Sequence, residues 1–148
     1  MNINTKEFGE IEIQDNDIIN FKGSIYGFEK YKKYVILNNS PEDSIMYLQS
    51  VENEDLHFVI VDPYAIFPLY TPILNDEDYK NLEITKGKHN KLKYMLIAVI
   101  SENMKDSVVN LKSPIVINPD NRLAVQSILQ NQDYCLRYPL FQKKEDGE

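Results

Sequence analysis

Apolar residues along this chain come in short runs rich in Val, Ile, Tyr and Phe, each closed within about ten residues by a turn signal. No stretch sustains the 3.6-residue period of a long amphipathic helix. About eight such runs punctuated by Gly, Pro, Asn and Asp describe an all-β sandwich or barrel. The densest run is Leu56-His57-Phe58-Val59-Ile60-Val61, five large apolar residues and one His, which suits a strand buried on both faces. Asp62-Pro63 then ends the ladder, because Pro63 has no N–H to donate and biases Asp62 away from the helical region. Beyond it, Tyr64, Phe67, Leu69 and Tyr70 surround Pro68 with no regular period. A loop this apolar either folds back on the core or is held out for a partner.

The remaining runs place the other strands. Asn2 to Lys6 and Glu10 to Ile13 form a hairpin turning at Phe8-Gly9. Ile18 to Phe21, Tyr34 to Leu37 (closed by a turn at Asn38 to Pro41) and Ser44 to Val51 follow as strands. Gly23 and Gly27 bracket a loop carrying Ile25, Tyr26 and Phe28, which calls for special backbone angles. Asn75 followed by Asp76, Glu77 and Asp78 is a capped helix start, the one good helix of the chain, with Tyr79 and Leu82 on one face. Tyr94 to Ser101 reads as the central strand, with Ile97 and Val99 in the core. Val108 to Leu111, Ile115 to Ile117 and a long strand from Leu123 to Leu129 complete the set. The expected architecture is a single-domain β-barrel-like fold of short antiparallel strands with one short helix, over residues 1–141. The polar stretch 142–148 is expected to be a disordered tail.

Composition narrows the function. A chain of 148 residues is large enough to bury about 68–70% of the surface its unfolded form exposes. The formal charge of −7 argues against direct nucleic-acid binding, which needs a clustered positive face. One cysteine, Cys135, precludes an internal disulfide framework and fits a reducing compartment. There is no secretory leader and no apolar run long enough to span a bilayer, so the sequence reads as cytoplasmic.

Catalytic and metal signatures are missing. His57 falls in a strand and His89 in a lysine-flanked loop, neither at a ligand spacing from another candidate. Cys135, between Tyr134 and Leu136, reads as a core or half-buried thiol without a cationic neighbourhood to activate it. Asp15-Asn16-Asp17 begins like a calcium loop, but Ile19 occupies the next ligand position, so it reads as a turn. Gly87-Lys88 lacks the upstream glycine and following hydroxyl of a phosphate loop. The expectation is no enzyme, no cofactor and no metal.

Taken together, several segments resemble the FliW family of flagellar assembly factors. They are Phe21 to Phe28, Tyr34 to Leu37, Leu48-Gln49-Ser50, Leu56 to Pro63, Val109-Asn110-Leu111-Lys112-Ser113-Pro114-Ile115-Val116-Ile117-Asn118, Ala124 to Leu129, and Tyr134 with Arg137-Tyr138-Pro139. They occur in the family's order and spacing from Asn2 to Leu140. One departure is Phe21-Lys22-Gly23-Ser24, where the family commonly has Phe-Pro-x-Gly. The resemblance implies a cytoplasmic β-barrel-like regulator, a monomer when free, that binds two proteins in turn. One is flagellin, and the other is the RNA-binding translational repressor CsrA, which it antagonises allosterically. The alternatives are a flagellin chaperone without CsrA binding and a β-barrel that takes a small ligand. Protein contact is expected from the aromatic loop, through Tyr64, Phe67 or Tyr70, beside the Ile25-Tyr26 loop. At least one of the three aromatic residues should face outward, since such anchors dominate many interfaces.

Overall fold

The computed structural model of the chain describes residues 1–38, 40 and 45–141, with the side chains of His89 and Asn90 left outside. The tail expected at 142–148 and part of the turn expected at 38–41 lie outside the described residues.

Among the described residues the strands run β1 (Asn2–Thr5), β2 (Gly9–Glu12), β3 (Ile19–Phe21), β4 (Lys33–Leu37), β5 (Ile45–Ser50), β6 (His57–Val61), β7 (Lys93–Val99), β8 (Val108–Val109), β9 (Ile115–Asn118), β10 (Leu123–Gln126) and β11 (Tyr138–Pro139). Strands β7-β6-β5-β4-β3-β10-β9 are neighbours in that order, and pairing of β7 with β9 closes them into a seven-stranded barrel. Closure removes the exposed edges that an open sheet of these strands would present. The barrel is all-β, as its sequence pattern requires. One pairing departs from the antiparallel expectation: β10 runs parallel to β3, Leu123 beside Asn20 and Ala124 beside Phe21.

Alternation along the strands sorts the apolar residues into three clusters. Ile19, Phe21, Tyr34, Leu48, Ile60, Met95, Ile115, Ile117 and Ala124 come from all seven barrel strands and fill its interior. The opposite faces of β6, β7, β9 and β10 supply Val61, Tyr94, Leu96, Val116 and Val125, which are covered by the loops and helices of residues 63–84 and by 109–140. The β1–β2 hairpin covers Val35 on the outside of β4 with Ile3 and Ile13. A strand buried on both faces reads as a continuous apolar run, which is what Tyr94 to Ala98 shows. The expectation for Leu56 to Val61 holds at Ile60 and Val61, whereas His57 to Val59 are half-buried.

Three further expectations are corrected. Asp62-Pro63 opens a short helix α1 (Pro63–Ile66), so the described residues hold two α-helices, with α2 at Asp76–Asn81. The sequence shows why: the Asp62 carboxylate accepts the Tyr64 N–H, and Pro63 occupies the first helical position, where its missing donor costs nothing. Val99 is 56% exposed at the end of β7 and is not core, unlike the half-buried Ile97. The last long strand is only β10, because beyond Gln126 the backbone turns to pair loosely with the 112–114 segment. Helix α2 starts as expected, with Asn75 Oδ1 accepting the Asp78 N–H at 2.8 Å and Asp78 returning the bond to the Asn75 N–H.

Candidate functional site

Strands β8 and β9 share one edge of β7. β9 pairs with Lys93 to Met95 and β8 with Ala98 and Val99, so the two part company between those positions. The segment Asn110 to Pro114 bridges the gap. Asn110 Oδ1 accepts the N–H groups of Lys112 and Ser113, fixing a tight turn, and Pro114 has no donor with which to prolong a ladder. Ser127 and Leu129 donate to the carbonyls of Pro114 and Lys112, which draws the chain after β10 alongside.

Above this split stands the turn Ile25-Tyr26-Gly27-Phe28, closed by the Phe28 N–H to the Ile25 carbonyl at 2.8 Å. Gly27 sits at φ +91°, the left-handed angle that the third position of such a turn demands. Gly23, at φ +81°, supplies the other special angle where this chain departs from the family's Phe-Pro-x-Gly. The turn is anchored to the barrel by the Tyr26 N–H donating to Gln126 Oε1 at 2.9 Å, across 100 residues of sequence. Between turn and split lies an open groove of about 690 Å³. Its polar lining includes Asn110, Ser113, Gln126 and Arg137, and its apolar lining is Tyr26, Ile128 and Leu136. Those three apolar side chains are 88%, 69% and 60% exposed.

Further apolar side chains are exposed on the segment that lies along the chain after Leu129. Residues 71–73 lie along Gln130 and Asn131, with the Gln130 N–H on the Ile73 carbonyl and the Asn131 side chain bridging Thr71 and Ile73. Leu69 (83% exposed), Ile73 and Tyr64 are exposed on this flank. Beneath them Phe67, Tyr70, Tyr134 and Tyr138 interlock edge to face, except that Tyr70 stacks on Tyr134 with centroids 5.0 Å apart. The Tyr70 hydroxyl donates to the Leu111 carbonyl at 2.8 Å, and the Tyr134 hydroxyl accepts the Thr71 N–H. Burial pushes the Tyr70 phenol well above its ordinary range, with the neighbouring Tyr134 and Tyr64 adding to the shift.

The five residues expected at a protein contact therefore separate. Tyr26 and Tyr64 are exposed and Phe67 is half-buried against the outer core. Ile25, 1% exposed, and Tyr70 correct that expectation: Ile25 belongs to the barrel interior, and the ring and hydroxyl of Tyr70 are both engaged inside. Neither contributes surface. What sequence reasoning did not assign is the groove's other lining, Asn110, Ser113, Gln126, Ile128, Leu136 and Arg137. What sets Ile128 apart is an apolar side chain in the outward position of an alternating stretch, between buried Ser127 and Leu129.

The remaining candidates sit elsewhere. His57 Nε2 lies 3.5 Å from Glu7 Oε1, and its ring packs against Tyr47, a structural setting. Cys135 is exposed, correcting the expected half-buried thiol, because its neighbours Tyr134 and Tyr138 take the inward positions. Asp15 to Asp17 forms a single turn of 3-10 helix. Among the described residues no group of three or more His, Cys, Asp or Glu could hold a metal ion. No helix among them is long and apolar enough to cross a membrane. Tyr34, Leu48 and Ile60 occupy the space that a small ligand would need in the barrel interior.

The profile of the FliW protein family matches residues 2–140. The flagellar assembly factor FliW of Natranaerobius thermophilus is 38% identical over 141 residues, 95% of this chain and 93% of the relative. That of Caldicellulosiruptor bescii is 39% identical over 146 residues, 99% of this chain and 94% of the relative. A crystal structure of the flagellar assembly factor FliW superposes with a TM-score of 0.88 at 36% identity, covering 98% of this chain and 100% of the other.

Proposed function

The chain belongs to the FliW family of flagellar assembly factors, and on that premise we propose that it is a cytoplasmic regulator that works by binding two proteins in turn. In this reading it holds the translational repressor CsrA until unexported flagellin takes it up, whereupon CsrA is released and flagellin synthesis stops. The observation that carries a binding role is the open groove under Tyr26, whose apolar lining residues Tyr26, Ile128 and Leu136 are all exposed. Contiguous apolar surface of this kind is a protein contact more often than a solvated face. The charge of −7 supports a basic partner such as an RNA-binding repressor, which it would steer toward encounter.

The test is to mix the purified chain with CsrA, with flagellin, and with both, and to follow complexes on a sizing column. Expected are two binary complexes, with added flagellin displacing CsrA. Co-elution with flagellin and none with CsrA would reduce the role to a flagellin chaperone. The CsrA on-rate should fall with rising salt more than its off-rate rises, because exposed charges are screened beyond about 8–10 Å. A salt-independent on-rate would remove charge from the recognition.

A further inference from the structure

The groove carries a charge arrangement unlike the rest of this acidic chain. Arg137 lines it, exposed, with no ion pair or hydrogen bond to any described residue. Glu29 lines the same groove and its carboxylate accepts the Gly27 N–H, so it is turned to its own loop and not to Arg137. The Asn110 side chain uses its oxygen for the turn beneath, which leaves its amide N–H groups to the groove. Gln126 is engaged at both ends, its oxygen accepting the Tyr26 N–H and its amide donating to the Ser113 carbonyl. Asn110 and Arg137 therefore offer donors to the groove, the second permanently cationic, next to three apolar side chains.

A guanidinium presents a planar fork that matches a carboxylate, and apolar surroundings strengthen the pair relative to open water. Elsewhere a chain of net charge −7 repels an incoming carboxylate. Arg137 marks where one is accepted, and it disfavours a cation at the same place. A volume near 690 Å³ admits one or two side chains of a partner and not a whole domain.

We infer that the groove takes a protein segment in which an apolar side chain lies beside a carboxylate, the apolar group resting between Tyr26, Ile128 and Leu136 and the carboxylate on Arg137. This rests on the protein-binding reading and names the chemistry of the partner segment at that site. Gln126 acts as a positioning residue, because it fixes the turn that carries Tyr26.

The smallest probes with this chemistry are N-acetyl-leucine and its neutral counterpart N-acetyl-leucinamide, each titrated into the isotopically labelled full chain and followed by amide chemical shifts. N-acetyl-leucine should produce saturable shifts at Tyr26, Gln126, Ile128 and Leu136, and the amide should bind about five- to tenfold more weakly. Arg137→Gln should abolish that difference, and Tyr26→Ala should weaken both probes alike. Equal affinity of acid and amide, shifts confined to another face, or no saturable shift would each overturn the inference. Column co-elution with CsrA and flagellin separates this from the parent reading. A groove that discriminates acid from amide in a chain that binds neither protein refutes the regulator and keeps the groove. Protein complexes that form with a flat probe titration do the reverse.

Discussion

Tyr70 and Tyr26 come from loops of similar make-up, each with aromatic residues between residues that restrict or free the backbone, yet Tyr70 is 3% exposed and Tyr26 88%. Tyr70 lies in a stretch set by Pro68 and Pro72, its ring stacked on Tyr134 and its hydroxyl on the Leu111 carbonyl. Tyr26 is held only by its backbone N–H, on Gln126, while its ring stands free. The aromatic loop thus closes the outer core, and the glycine-bracketed turn walls a groove. An aromatic side chain goes inward where its polar end finds a partner and its faces find other rings. Where the backbone alone is anchored, the ring remains available.

The sharpest break between core and rim is expected on the barrel itself. Ile60→Asp should abolish folding, since an unpaired buried charge costs several kcal/mol against a total of about 5–15. Val99→Asp, at the exposed end of β7, should fold and melt cooperatively near the parent. A cooperatively folded Ile60→Asp chain would place that residue outside the core.

Next come the aromatic loop residues. Phe67→Ala should lower stability by about 3 kcal/mol, at the lower end for buried phenylalanines because Phe67 is only half-buried. Tyr70→Phe should cost about 1–2 kcal/mol through the unpaired Leu111 carbonyl. Urea midpoints unchanged in both variants would mean that the loop is not part of the core.

A smaller effect depends on pH. Burial raises the Asp78 carboxyl above its ordinary range, against the lowering by hydrogen bonds from Ser127 at 2.5 Å and from the Asn75 N–H. A raised folded value means that the native state binds this proton more tightly than the unfolded chain. Asp78 therefore makes stability fall as pH rises from about 3.9 through the higher folded value, after which its contribution is constant. The parent-minus-Asp78→Asn difference in urea midpoint should slope downward across that window; an upward slope would reverse the assignment.

The smallest stability change belongs to the rim. Tyr26→Ala should stay within about 0.5 kcal/mol of the parent. The same variant should lose about tenfold in affinity for a protein partner, roughly 1.4 kcal/mol. A large loss of stability at Tyr26, or none of affinity, would erase the contrast with Tyr70.

Much of the architecture was legible in the order of residues. The hairpin at Phe8-Gly9, the Asn75 cap, the left-handed turns at Gly23 and Gly27 and the strand after Lys93 are all local, set by turn chemistry, capping and period-two alternation. The short α1 was readable too, in Asp62 before Pro63, but prolines farther along suggested an irregular loop. Less of the site was legible. Tyr64, Phe67, Tyr70, Ile25 and Tyr26 share one composition, and nothing in it distinguishes a ring above Tyr134 from one above solvent.

By itself, then, the sequence determined strands, turns and the alternating faces that fill a barrel, because these depend on neighbours within a few residues. It also determined the acidic charge and, through the order of its motifs from Phe21 to Pro139, the family. The tertiary structure alone decided the parallel β3–β10 pairing, the exposure of Val99 and Cys135, and the groove. The pairing and the groove join segments far apart in the chain: Tyr26 bonds to Gln126, and Asn110 and Arg137 line one groove. A site built from such contacts exists only once the barrel has closed, because no local preference encodes which distant segment will lie opposite.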